Sequence, residues 1–414
     1  MFSWLLIKEF LEDLKKQKTR AILTTVAVAW GTLTMILLMA FGSGLAFRMR
    51  EGLLNAMNFA IPVWGGETGK KWMGLPVGRP IRFIEDDCRI LRENIPQIAG
   101  ISPQMGKWIR LRVGEKSAST FMEGVYPSFE FLRRMYPAAG GRFLNEKDEI
   151  EKRRCVFMGS DLAGELFGNT DPIGQNVSID GIPFTVAGVL PKKLQTSMNN
   201  GPDNRRAVIP FSTFQSIYGW KNIGHMLVQT AHPGQTKVVI KQIREVLGRK
   251  YRFDPTDENA VSIWDIVEAI KIQDKITLGL NIFLAVVGSM TLVIAGVGVA
   301  NIMYVVVKER TREIGIKRSV GARKKDILFQ FLFESILIAV IGGGTGMLIS
   351  AGIVKLMWMV PAGEGAMQFL GRPLLSAPVM ITAVSVLGLT GILAGFFPAR
   401  KASQVDPIEA LRYE

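Results

Sequence analysis

Four stretches of the chain are apolar and almost free of charge, over residues 21–47, 276–307, 327–354 and 373–399, with Glu334 the one charged residue among them. Each is longer than the roughly 20 residues a helix needs to cross about 30 Å of hydrocarbon. The pattern predicts four membrane-spanning helices. The second run exceeds what a bilayer requires, so part of it is expected to rise above the membrane as a stalk. Ahead of the first run, Trp4, Ile7, Phe10, Leu11 and Leu14 recur at helical spacing among Lys8, Glu12, Lys15 and Lys16. That predicts an amphipathic interfacial helix over 1–20, leading into an uncleaved signal anchor.

Between the first two runs, residues 48–275 read differently. Helical patterning is expected at 85–94 and 238–250. Short strands are expected at 108–113, 154–158, 176–179, 184–189 and 207–209. Asp180-Gly181 sits between two of these strands as a hairpin signal. Residues 195–206 are polar and predict a mobile loop.

Charge then orients the chain. Residues 308–325 read KERTREIGIKRSVGARKK, in which Lys308, Arg310, Arg312, Lys317, Arg318, Arg323, Lys324 and Lys325 oppose only Glu309 and Glu313. A short basic loop between apolar spans stays on the cytoplasmic side. Lys15, Lys16, Lys18 and Arg20 before the first span, and Arg400 and Lys401 after the last, agree with it. Both termini are therefore expected in the cytoplasm, with 48–275 outside and a short external loop over 355–372. The net charge of +14 is largely juxtamembrane, and no nucleic-acid motif accompanies it.

Candidate chemistry is sparse. His225 and His232 lack companions with ligand spacing, and Cys88 and Cys155 are either a disulfide or two buried thiols. Gly288, Gly296 and Gly298, and the GxxxG pairs Gly342/Gly346 and Gly391/Gly395, predict close helix packing. Glu334 is a candidate coupling carboxylate, within reach of the basic loop. The sequence has no GxxxxGK[ST] and hence no phosphate loop, and separately it shows no His/Asp/Ser constellation or paired carboxylates that read as a catalytic cluster.

Three segments together resemble a known family. They are NIMYVVVKERTREIGIKRSVGARKKDILFQFLFE (301–334), FPARKASQVDPIEALRYE (397–414), and the region 140–190 with GGRFLNEKDE, VFMGSDLAGELFGNTDPIGQNV and FTVAGVL. In these the chain resembles the FtsX-like permeases of ABC transporters, in the macrolide-exporter (MacB-like, type VII) group. The resemblance implies an α-helical membrane protein with four transmembrane helices plus a large extracytoplasmic α/β domain between helices 1 and 2. That domain would combine a porter-like part with a β-rich insert over about 106–224.

The resemblance also implies a bacterial inner-membrane permease subunit that couples ATP hydrolysis on a separate ATPase chain to substrate export by mechanotransmission. ATP and magnesium would be bound by a partner ATPase dimer, with no cofactor in this chain. A second permease, identical or homologous, would complete the assembly, with a periplasmic adaptor and outer-membrane channel as further partners. The same architecture also serves lipoprotein release, and regulation of a cell-wall hydrolase without transport. The coupling segment would include Glu309, Arg312, Glu313, Ile314, Gly315, Ile316, Lys317, Arg318, Gly321 and Ala322. Glu309, Arg312, Glu313 and Arg318 are expected to make polar contacts to the ATPase, and Ile314 and Ile316 to fill a groove on it.

Overall fold

The computed structural model describes residues 18–195, 200–360 and 371–412. The amphipathic stretch expected over 1–20 lies almost wholly outside them, as do parts of the polar loop 195–206 and of the external loop 355–372. The chain divides into two compact units, Met49–Asp274 and the remainder.

In the first unit the strands are β1 (Ala60–Gly65), β2 (Ile98–Val113), β3 (Lys116–Val125), β4 (Cys155–Gly159), β5 (Asn176–Ile179), β6 (Ile182–Leu190), β7 (Ala207–Pro210), β8 (His225–Thr230) and β9 (Val261–Ile263). They form one sheet, ordered β3-β7-β4-β6-β5-β2-β8-β1-β9, and β3 also pairs with β2. That extra pairing closes β2, β3, β7, β4, β6 and β5 into a ring, leaving β8, β1 and β9 as an open wing.

Strand β2 belongs to both parts. Its first half pairs with β8, from Ile98↔Thr230 to Gln104↔His225, and its second half with β3, from Gln104↔Val125 to Val113↔Lys116. The ring and the wing therefore share one strand, and a single apolar cluster runs through both. Asp180 (φ 47°) and Gly181 (φ 87°) close the β5–β6 hairpin, the twofold positive φ that the primed turn demands.

Helices cover the sheet: α2 (Glu85–Asn94), α3 (Phe129–Leu132), α4 (Glu146–Ile150), α5 (Ser160–Phe167), α6 (Phe211–Tyr218) and α7 (Thr236–Tyr251). Asp87 is buried on α2; it accepts from Lys250 Nζ and Tyr251 Oη of α7, each at 2.6 Å, and from the Ile84 amide at 2.8 Å. The two helices on the wing are thus tied together while one helix start is capped. Both cysteines are free and buried, in different apolar clusters.

A buried ionic knot lies against the ring. Asp203 accepts from Arg133 Nη2 at 2.8 Å and pairs with Lys193 Nζ at 2.8 Å and Arg206 Nε at 3.2 Å; Arg206 also pairs with Glu123. Lys193 Nζ donates to the Asn55 and Arg133 carbonyls at 3.1 and 2.8 Å, and Asn55 Nδ2 donates to the Leu194 carbonyl at 2.9 Å. Asn55 closes the first long helix, α1 (Lys18–Ala56), so the knot fastens the end of that helix to the ring.

The second unit contains most of α1 and of α8 (Ile266–Glu309), with α9 (Thr311–Ser319), α10 (Lys324–Met359), α11 (Ala377–Ser403) and α12 (Pro407–Arg412). Among the described residues, α1, α8, α10 and α11 are the four helices long and apolar enough to cross a membrane. At 1.5 Å per residue the 44 residues of α8 extend roughly 66 Å, about twice the hydrocarbon thickness. The boundary between the units falls inside α1 and inside α8.

Small residues set the helix contacts. Gly342 and Gly346 of α10 lie against Thr25, Val28, Ala29 and Thr32 of α1, and Gly391 and Gly395 of α11 against Ala339 and Ser335 of α10. Gly288 lies on Met35 and Gly296 on Thr390. Gly298 departs from the expected packing role: nothing lies within 4 Å of where its Cβ would be.

Candidate functional site: a short helix between two spans

At Arg310 the backbone leaves helical geometry (φ −96°, ψ 14°), ending α8 and starting α9. Thr311 Oγ1 donates back to the Lys308 carbonyl at 2.8 Å. At the other end, the Ala322 amide returns to the Lys317 carbonyl at 3.0 Å across Gly321, whose φ of 111° suits a residue without a side chain. Asp326 then accepts from the Arg323 amide at 2.9 Å and caps α10. A nine-residue helix is thereby held between two sharp turns.

Its inward face is committed to this chain. Ile314 is buried in the same apolar cluster as Val307, Ile327 and Phe331. Gly315 lies under α12, where a Cβ would stand 2.5 Å from Ala410 Cβ. Arg318 Nη1 donates to the Val405 carbonyl, and Lys317 Nζ reaches Gln330 Oε1 at 3.4 Å. Ala322 packs against the cluster, and Glu309 accepts from Arg20 Nη1 at 2.7 Å. Ile314 and Arg318 therefore do not project outward as expected, because the 3.6-residue period places them beneath the helix with Gly315. Glu309 is half committed to α1. Gly321 shapes the turn rather than a contact.

The outward face carries Arg312, Glu313 and Ile316, the last 47% exposed, and continues into Val320 at 85%. Arg312, Ile316 and Val320 follow one another at four-residue spacing, forming one stripe. An apolar strip flanked by an arginine and a glutamate suits a groove on another protein.

One ion pair and one amide contact anchor the turn from behind. Arg310 Nη1 donates to both carboxylate oxygens of Glu334, at 3.3 and 3.4 Å, and Gln330 Nε2 reaches Glu334 Oε1 at 3.4 Å. The small helix α12 was not foreseen in the sequence. Its signal was present in Asp406-Pro407: Asp406 Oδ1 accepts from the Ile408 amide at 2.9 Å, with proline at the first helical position.

Among its described residues the outer unit holds no comparable constellation. His225 stacks on Trp64 with ring centroids 5.6 Å apart, and burial pushes its imidazole down to about 4. Burial pushes the Cys155 thiol up to about 12, and the Cys88 thiol also upward, so both are poor nucleophiles near neutrality.

Two family models account for this arrangement. The MacB-like periplasmic core domain matches residues 21–246, and the FtsX-like permease C-terminal model matches 285–407. The chain belongs to the MacB-like FtsX-type permeases. It is a multi-pass membrane protein with a large extracytoplasmic α/β domain.

Among curated MacB-like relatives, the macrolide export ATP-binding/permease protein MacB of Bdellovibrio bacteriovorus is 29% identical over 405 residues, covering 97% of this chain and 61% of that protein. The pyoverdine export ATP-binding/permease protein PvdT of Pseudomonas savastanoi pv. phaseolicola is 30% identical over 403 residues, covering 95% and 57% respectively. The chain thus spans about 60% of the length of the curated relatives it matches. Among solved structures, the periplasmic region of MacB from Actinobacillus actinomycetemcomitans is 20% identical, covering 54% of this chain and 96% of that one, with a TM-score of 0.43.

Proposed function

We propose that the chain is the permease part of an ABC-type exporter, moved by an ATP-binding partner whose nucleotide site lies outside these residues. The observation that carries this reading is the outward stripe of α9. Its Arg312, Glu313 and Ile316 point away from the chain, while Ile314, Gly315, Lys317 and Arg318 are spent on fixing the helix in place. A helix braced this firmly transmits a push instead of absorbing it.

The push would enter α8 at Arg310 and α10 at Glu334. The long helices α1 and α8 continue without interruption into the outer unit, where their ends pack through Ala56, Met57, Ile266 and Ile270. The knot around Asp203 then ties the α1 end to the ring. Work done at the inner surface would thereby reshape the outer domain, moving cargo that is already outside. Close, glycine-mediated packing of the spans fits levers better than a wide polar pore. In this reading both termini and α9 lie in the cytoplasm, the membrane is the bacterial inner membrane, and a second permease and a dimer of ATPases complete the assembly.

Charge exchange tests the reading. Arg312→Glu combined with Glu313→Arg should abolish co-purification of the ATPase and its stimulation by the permease, while leaving the melting temperature of the permease unchanged. Undiminished association and hydrolysis in the double variant would overturn it.

A further inference from the structure

Three loops of the outer unit hang on three successive residues of β6. The Thr185 amide donates to the Arg154 carbonyl at 2.9 Å, the Gly174 amide to the Val186 carbonyl at 2.9 Å, and the Arg142 amide to the Ala187 carbonyl at 3.0 Å. Between the loops lies a cleft of about 620 Å³ whose walls include Arg142, Asp148, Arg153, Arg154, Ile173 and Thr185. Such a volume suits a small organic molecule.

The charge on its walls has one sign to spare. Asp148 is the acidic residue lining the cleft, and its carboxylate is saturated. It accepts from Arg142 Nη1 and Nη2 at 2.5 and 3.0 Å, from the Asn145 amide at 3.0 Å, and pairs with Arg153 at 3.8 Å. Arg153 Nε also donates to Glu151 at 2.7 Å. Arg154 is exposed and makes no side-chain ion pair among the described residues, although its main chain is fixed against β6. The neighbouring Cys155 thiol is neutral near pH 7, so it supplies no competing anion. A cation would find every acceptor taken; an anion finds a guanidinium waiting, with Ile173 and Ala187 as an apolar wall beside it.

We infer that this cleft is a binding site for a small organic anion, whose carboxylate or similar group pairs with Arg154 and whose apolar body lies along Ile173 and Ala187. Guanidinium is suited to this because its planar fork matches a carboxylate in two parallel hydrogen bonds. The inference does not rest on the ATPase contact proposed above, since binding here needs no partner.

The test uses the full chain in lipid nanodiscs, with 4-fluorobenzoate observed by fluorine NMR. The expected result is saturable binding reversed by excess benzoate, weakened about tenfold or more in Arg154→Ala and partly kept in Arg154→Lys, since a lost charge-assisted hydrogen bond is worth roughly 1.5–3 kcal/mol. Thr185→Trp, which fills the cleft, should abolish binding. Arg110→Ala, an exposed arginine on β2, should leave it unchanged. Melting temperatures of all variants are measured alongside. Absence of saturable binding, or binding of equal strength in Arg154→Ala, overturns the site. Displacement by inorganic phosphate as effective as by benzoate overturns the organic part of the assignment.

Discussion

Arg310 and Glu334 form a two-oxygen contact, at 3.3 and 3.4 Å, between the residue that ends α8 and a carboxylate within α10. Both side chains are largely removed from solvent, 15% and 9% exposed. Losing one partner of such a pair costs about 3–5 kcal/mol, because the other charge stays buried, whereas replacing both with apolar groups is often near neutral. Glu334→Leu should therefore lower the detergent-solubilised melting temperature strongly, and Arg310→Met combined with Glu334→Leu should recover most of it. If the pair also carries force, the double variant remains folded and binds the ATPase but fails to stimulate it. A double-mutant cycle read in both assays separates the two effects.

Gly315 should tolerate no branched side chain. Overpacking costs about 1–3 kcal/mol, and here the neighbour is Ala410 of the six-residue α12. Gly315→Val is expected to lift α12 from α9 and reduce ATPase stimulation severalfold. Ala410→Gly in the same chain should restore part of it. Protease sensitivity of the segment after Val405 measures the displacement directly.

Glycines in the spans divide into contact and open positions. Gly346→Leu and Gly395→Leu should destabilise the helix bundle, because their Cβ positions meet Ala29 and Ser335 of the facing helices. Gly344→Leu should be silent, since nothing lies within 4 Å of it. Melting of the three variants in one detergent makes the comparison.

Stability of the outer unit should depend on pH through two carboxyls of opposite sign. Burial raises Glu149 to about 7, against the partial opposition of hydrogen bonds from Ser212. The folded state therefore holds a proton that the unfolded chain loses near 4.5, and stability falls as pH rises from 4.5 to 7. Burial alone would raise Asp203 too, but Arg133, Lys193 and Arg206 overcome it and hold the carboxyl at about 2. Its contribution is complete above 3.8 and is lost as pH falls toward 2. Glu149→Gln should flatten the first slope and leave the second, as followed by thermal melting across pH.

The membrane helices were legible because uncharged runs of that length have one use, and the basic loop was legible because its charges are contiguous. Sequence patterning failed where burial is two-sided. Ile98–Val113 forms one strand, yet only its end from Trp108 alternates; residues 100–105 are covered on both faces and show no period of two. Strand β3 was missed since Lys116–Val125 is rich in small polar residues that carry little strand signal. The ionic knot was invisible because Glu123, Arg133, Lys193, Asp203 and Arg206 come together only once the ring closes. Within α9 the sequence marked both isoleucines alike, and only the fold distinguishes Ile316, which is exposed, from Ile314, which is buried.

Closure of β2 through β7 has a bearing on life in a crowded envelope. A sheet with a bare margin invites strands from neighbours, and a ring has none to offer. At the outer end of the wing the margin is β9, three residues long. A neighbouring chain meeting the wing at that end therefore finds only a short ladder on which to zip.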